Sequence, residues 1–212
     1  MFGYSDNSYG FGTTTSDSAI GCLIKGCTDT HFAGGKHSLF TSVGGQLKGS
    51  TDSSINNSLF ILDSANGDAL LANVNGAVNN ATSNFRQNLV VATENTTGKF
   101  VDIGTSQDVA LSLNAYHELS GVTLPTNLMS FQGSNYTTKA DYQAAQETDA
   151  IIADPDIDSN YIPNSTSPLI GTGSKWWTGP NPIGNNGEPF SDIDTDIGSV
   201  QSTYGPFHPK NL

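Results

Sequence analysis

Two sets of alternating aspartates are the residues best spaced for chemistry. Asp192, Asp194 and Asp196 would share one face of a strand, and Asp154, Asp156 and Asp158 repeat the spacing. Three carboxylates on one face repel unless a cation or positive donors sit among them, so each triplet is a candidate Ca²⁺ site. Neither is an EF-hand loop: the sixth position holds Ser159 or Ile197 instead of Gly, and no Glu stands at the twelfth. The plainer alternative is that these carboxylates accept hydrogen bonds from turn amides. The only two tryptophans, Trp176 and Trp177, are adjacent in a Gly/Pro loop beside Lys175 and Thr178. Flat rings suit the apolar faces of sugars, which makes them the candidate ligand-binding pair. The alternative is that one or both plug an apolar end or a subunit contact.

Other nucleophiles and ligands are scattered. His31 and His37 lie six apart, and His117-Glu118 and His208 are isolated. Neither His-Glu-x-x-His nor Gly-x-Ser-x-Gly occurs. Cys22 and Cys27 are out of Cys-x-x-Cys register and read as small core residues, with a local disulfide as the alternative. No residue is assigned a catalytic role, and Ca²⁺ is the one cofactor the residues suggest.

Charge narrows the partners. The net charge is −12, Lys and Arg total 8, and Arg86 is the only arginine. Neutralising phosphates takes clustered Lys and Arg, so nucleic acid and anionic lipid are poor partners. No run approaches the ~18 apolar residues of a spanning helix, so no membrane insertion is expected. The start, Met1-Phe2-Gly3-Tyr4, lacks the basic and apolar regions of a signal peptide. Asn-x-Ser/Thr sequons at Asn56, Asn80, Asn95, Asn135 and Asn164 read as products of a composition rich in Asn, Ser and Thr.

The elements that must position these residues are short. Charged residues are 13% and hydrophobic residues 35%, with 23 glycines, a balance that disfavours long helices and fits a folded, β-rich chain. Apolar runs at 19–24, 38–43, 55–62, 69–74, 85–92, 100–103 and 109–113 are each bounded by Gly, Asn, Ser or Asp, the pattern of strands and turns. Two aliphatic ladders step by 23: Ile55, Val78, Val101, Leu124, and Ile24, Leu47, Leu70. Asn57 and Asn80 share the step. A coil of roughly 20–25 residues is one turn of a parallel β-helix, in which Asn at a bend can stack on Asn of the next coil. The alternative is a β-sandwich with irregular strands. The best helical stretch is 142–149, with Lys139, Ala140 and Asp141 leading in, and it is expected on the surface. From Asp154 the chain is loop-rich and carries most of the prolines, which fits a terminal cap. The chain reads as one continuous domain: coils over 1–125, then last coils and cap over 126–212.

The segment Asp154-Pro155-Asp156, Tyr161-Ile162-Pro163 and Ser167-Pro168-Leu169-Ile170-Gly171-Thr172-Gly173, followed by Asp196-Ile197-Gly198, resembles the closing coils of the right-handed parallel β-helix family, the pectate-lyase-like superfamily. The end of the chain, from Asn185-Asn186-Gly187 to Lys210-Asn211-Leu212, resembles the ends of phage tail fibre and tailspike β-helix proteins. The fold implied is all-β: a right-handed parallel β-helix with a Pro/Gly-rich C-terminal cap and one short surface helix. The function implied is a virion structural protein of a phage tail, extracellular after lysis. It would form a homotrimer, contact other virion tail proteins and bind host surface polysaccharide through Trp176 and Trp177. The alternative is a polysaccharide depolymerase of the same superfamily. Hydrolases of that kind use carboxylate pairs, here drawn from Asp52, Asp63, Asp68, Glu94 and Asp102, and a lyase would have to use Lys25, Lys36, Lys48 or Lys99.

Overall fold

The apolar run 85–92 is one stretch in the sequence and two strands in space. Gln87 breaks it by taking a left-handed backbone (φ 58°), and Asn57 (φ 45°) and Leu113 (φ 54°) do the same one level before and one level after. Each break lets two short strands lie on different sheets. The computed structural model describes residues 18–20, 23–25, 29–36, 39–41, 46–62, 70–72, 82–104, 108–175, 190 and 194–198. These residues are mostly β, with a single short helix among them.

The strands are β1 (Ser18–Ile20), β2 (Leu23–Lys25), β3 (Asp29–Lys36), β4 (Leu39–Thr41), β5 (Gln46–Asn56), β6 (Leu59–Leu62), β7 (Leu70–Ala72), β8 (Thr82–Arg86), β9 (Leu89–Ala92), β10 (Val101–Ile103), β11 (Asp108–Ser112), β12 (Ala115–Glu118), β13 (Met129–Phe131), β14 (Ser134–Tyr136), β15 (Gly173–Ser174) and β16 (Asp194–Thr195). The helix α1 is Lys139–Ala145. The first sheet runs β1-β3-β5-β8-β11, the second β2-β4-β6-β9-β12, and the third β7-β10-β13-β14. All pairings in these sheets are parallel except the β13–β14 hairpin. The chain therefore visits the sheets in turn. One level is β8, β9, β10, and the next is β11, β12, β13.

The register replaces the step of 23. Ile55 pairs with Phe85 instead of Val78, and Val101 with Leu70 on one side and Met129 on the other. In the second sheet the partners Leu23, Leu39, Leu59, Leu89 and Ala115 lie 16, 20, 30 and 26 residues apart. A ladder of fixed period cannot follow levels whose connecting loops differ in length.

The core lies between the sheets. Phe85 enters from the first, Phe60, Val90, Ala92 and Tyr116 from the second, and Val101, Ile103 and Met129 from the third. The other face of the second sheet is also covered. Leu59, Leu89, Val91 and Ala115 pack there against Leu169 and Ile197. All four residues of β9 are buried because alternate side chains serve these two clusters.

The helix begins at Lys139, earlier than expected, because the Thr138 hydroxyl caps it by accepting the Asp141 amide at 3.1 Å. It lies on the surface, as expected, but its Tyr142 is fully buried against Tyr116, edge to face with ring centroids 5.9 Å apart. With α1 the β13–β14 hairpin, turned by Gln132 (φ 48°) and Gly133 (φ 86°), closes the end of the last level. The described part of the Pro-rich segment packs Leu169 and Ile197 against the outer face of the second sheet as a strap, and most of the segment expected as a terminal cap lies outside the described residues.

Candidate functional site

The polar chemistry concentrates where the strands of the first sheet turn into the second. The residue after each left-handed break is buried: Ser58, Asn88 and Asn114. Their backbone amides point along the stack, and each is met by the side chain of the next level. The Ser58 amide donates to Asn88 Oδ1 at 3.0 Å, and the Asn88 amide donates to Asn114 Oδ1 at 3.0 Å. Asn88 Nδ2 also donates to Asn114 Oδ1, at 2.9 Å. The Asn114 amide and Nδ2 then donate to Glu147 Oε1 at 2.8 and 2.9 Å. The result is a ladder in which every step passes a donor to the next level's acceptor.

Glu147 ends it. Its Oε1 accepts both bonds from Asn114 and passes no donor to a further level, so the series stops. The Tyr116 hydroxyl donates to Oε2 at 2.8 Å and the Tyr142 hydroxyl at 3.4 Å. Glu147 is 1% exposed. Burial pushes its carboxyl up from 4.5 to about 7, against the downward pull of the bonds from Asn114 and Tyr116. Burial and the neighbouring Glu147 hold the phenol of Tyr116 well above its ordinary value. A carboxyl that titrates near neutrality suits acid–base work, but this one spends all its bonds inside the fold and meets no solvent.

A second polar feature anchors the strap. The Gln87 carboxamide donates to the Ser174 carbonyl at 3.0 Å and accepts from the Ser174 amide and the Thr195 hydroxyl. It takes the place of a strand beside the short β15–β16 pair. Gly173 is glycine because a Cβ there would overlap the Gln87 carboxamide and the Thr195 hydroxyl. The Gly198 amide donates to the Gln87 carbonyl, and Asn57 Nδ2 donates to the Asp196 carbonyl at 3.1 Å.

The residues singled out in the sequence fall as follows. Asp194 is exposed, and Asp196 is buried with its carboxylate accepting the Gly171 amide at 2.9 Å. Asp192, Trp176, Trp177, His37 and His208 lie outside the described residues. The Asp154 carboxylate accepts the Asp156 amide, and that of Asp158 accepts the Asn160 and Ile162 amides. The Asp156 carboxylate accepts from Asn164 and Thr166, and these two bonds hold it below its ordinary value. These aspartates shape turns. Among the described residues no three His, Cys, Asp or Glu gather as metal ligands. Glu94 is exposed, and Asp102 is paired with Lys99 at 2.9 Å. His117 is half-buried on β12, and burial lowers its pKa against the opposing charge of Asp154. Its neighbour Glu118 is paired with Lys139 of α1.

Glu147 falls inside the run 142–149 that the sequence marks as helical, and nothing in the sequence marks Tyr116. The signal that finds them is the pair Asn88 and Asn114, each one residue past a strand break, which requires an acceptor at the next level. No family model, curated protein or solved structure matches the chain.

Proposed function

We propose that the chain is a right-handed parallel β-helix of the pectate-lyase-like type, serving as a trimeric structural component of a phage tail fibre or tailspike that binds host surface glycan. The observation that carries the reading is the strand register: parallel strands visited sheet by sheet, with a buried amide ladder running through successive levels. A stack of that kind is a stiff rod. Binding is passive, with sugar rings laid on Trp176 or Trp177 and hydroxyls met by Asn, Asp and Ser side chains. The role in a virion rests on the likeness of the chain's end to phage tail proteins.

The test is light scattering with and without a chelator, followed by glycan binding to the wild type and to Trp177→Ala. The reading expects about three times 22.2 kDa in solution, loss of the trimer in chelator if the Asp192, Asp194, Asp196 set holds Ca²⁺, and weakened glycan affinity in the variant. A monomer that binds no glycan overturns it. Release of reducing ends, or of unsaturated sugars, marks the chain as a depolymerase instead.

A further inference from the structure

The last acceptor of the ladder is ionisable, and every group that bonds to it is neutral. Glu147 accepts the Asn114 amide and Nδ2, the Tyr116 hydroxyl and the Tyr142 hydroxyl, and no cation is among these partners. The groups facing it come from three elements. From β12 comes Tyr116, from α1 Tyr142, and from its own segment Asp149, whose charge opposes ionisation. Asp149 in turn accepts the Ser112 hydroxyl at the end of β11. Tyr136 of β14 touches Tyr142 edge-on, and the Lys139 charge on α1 is committed to Glu118. A carboxylate buried without a cation is costly, and the way to relieve it is to reach water. Glu147 is joined to α1 by Gln146 alone, so its exit loosens the segment that seats Tyr142.

We propose that Glu147 is a proton-controlled latch: protonated, it seats α1 and Tyr142 over the last level, and ionised, it releases that closure and bares the Tyr116 end of the core. The geometry assigns the latch, and the carboxyl's upward displacement to about 7 places its release in the neutral range. The sign follows from linkage. The folded state holds this proton more tightly than the unfolded chain does, so its contribution is complete below 4.5 and is lost as pH rises through about 7. The latch operates whatever the chain binds.

Hydrogen exchange and infrared spectroscopy on the full chain test it. Protection of the Asn114 and Gln146 amides, corrected for intrinsic exchange, is expected to fall by close to tenfold per pH unit between about pH 5 and pH 7, the slope set by one proton, and to level off above it. Glu147→Gln, which stays neutral, keeps its protection over the same range and lacks one protonated-carboxyl infrared band that the wild type loses near neutrality. An equal fall in the Gln variant, or a Glu147 already ionised at pH 5, overturns the latch. Should Glu147→Gln fail to fold, Tyr116→Phe decides. Removing that hydroxyl takes a donor from the carboxylate and moves the midpoint up in pH, and an unmoved midpoint overturns the proposal.

Discussion

Replacing Asn114 by Leu should destabilise the chain far more than its modest change in volume suggests. The Asn114 carboxamide makes four bonds. Its Oδ1 accepts from the Asn88 amide and Asn88 Nδ2, and its Nδ2 donates to the Phe85 carbonyl and Glu147 Oε1. All of these partners are buried. Leu can satisfy none of them. At ~1–3 kcal/mol for each buried polar group left short of a partner, and with some relaxation, the loss is roughly 3–6 kcal/mol. That is a large fraction of the ~5–15 kcal/mol that holds a typical domain. A thermal melt followed by circular dichroism should show Tm lower by roughly 6–24 °C, taking ~2–4 °C per kcal/mol for a chain of this size. The control is Ser58→Ala. Ser58 enters the ladder through its backbone amide, while its hydroxyl bonds locally to the Asn56 carbonyl. Its loss should cost no more than ~1.5 kcal/mol, the worth of one ordinary hydrogen bond. If Asn114→Leu lies within 1 kcal/mol of the wild type (roughly the scatter of such comparisons), or Ser58→Ala does equal harm, the directional ladder is refuted.

The strap supports two further expectations. Leu169 is fully buried against the outer face of the second sheet, so Leu169→Ala should cost ~2–5 kcal/mol in denaturant unfolding. A cost below 1 kcal/mol, which is what an exposed site gives, would show that the strap does not seal that face. Gly173→Ala forces its new methyl into Gln87 and Thr195 and should detach the strap locally. Limited proteolysis then cuts near residue 173 faster than in the wild type, and equal rates would sink the expectation.

The strands were the most legible part of the sequence. Runs 55–62 and 85–92 did mark β-structure, yet each is two strands, broken at Asn57 and at Gln87, and Gln, unlike Asn, seldom announces a turn. The stacking of Asn on Asn was foreseen from its chemistry. Its location was not, because the pairing depends on loop lengths that change from level to level and move the partner of Asn88 to Asn114. Glu147 hid behind the helix-forming run around Ala144 and Ala145. Helix propensity weighs local backbone, whereas Glu147 is placed by an acceptor that Asn114 requires 33 residues earlier. In the Pro-rich segment the prolines announced irregular chain correctly but concealed Leu169 and Ile197, whose burial belongs to the second sheet. The tryptophans stood out by type alone, and type does not position a ring.

The strap also bears on how the molecule carries load. Hydrogen bonds between parallel strands of successive levels run along the stack, so tension between its ends falls on one interface at a time, as on the teeth of a zip. Leu169 and Ile197 grip Leu59, Leu89 and Ala115, residues of three different levels, from outside. Gln87 and Asn57 fasten the same segment at two of those levels. The strap therefore acts as a splint laid across joints that would otherwise open singly. Pulling must shear several contacts together before any one level parts, which turns a sequence of weak yields into one stronger break.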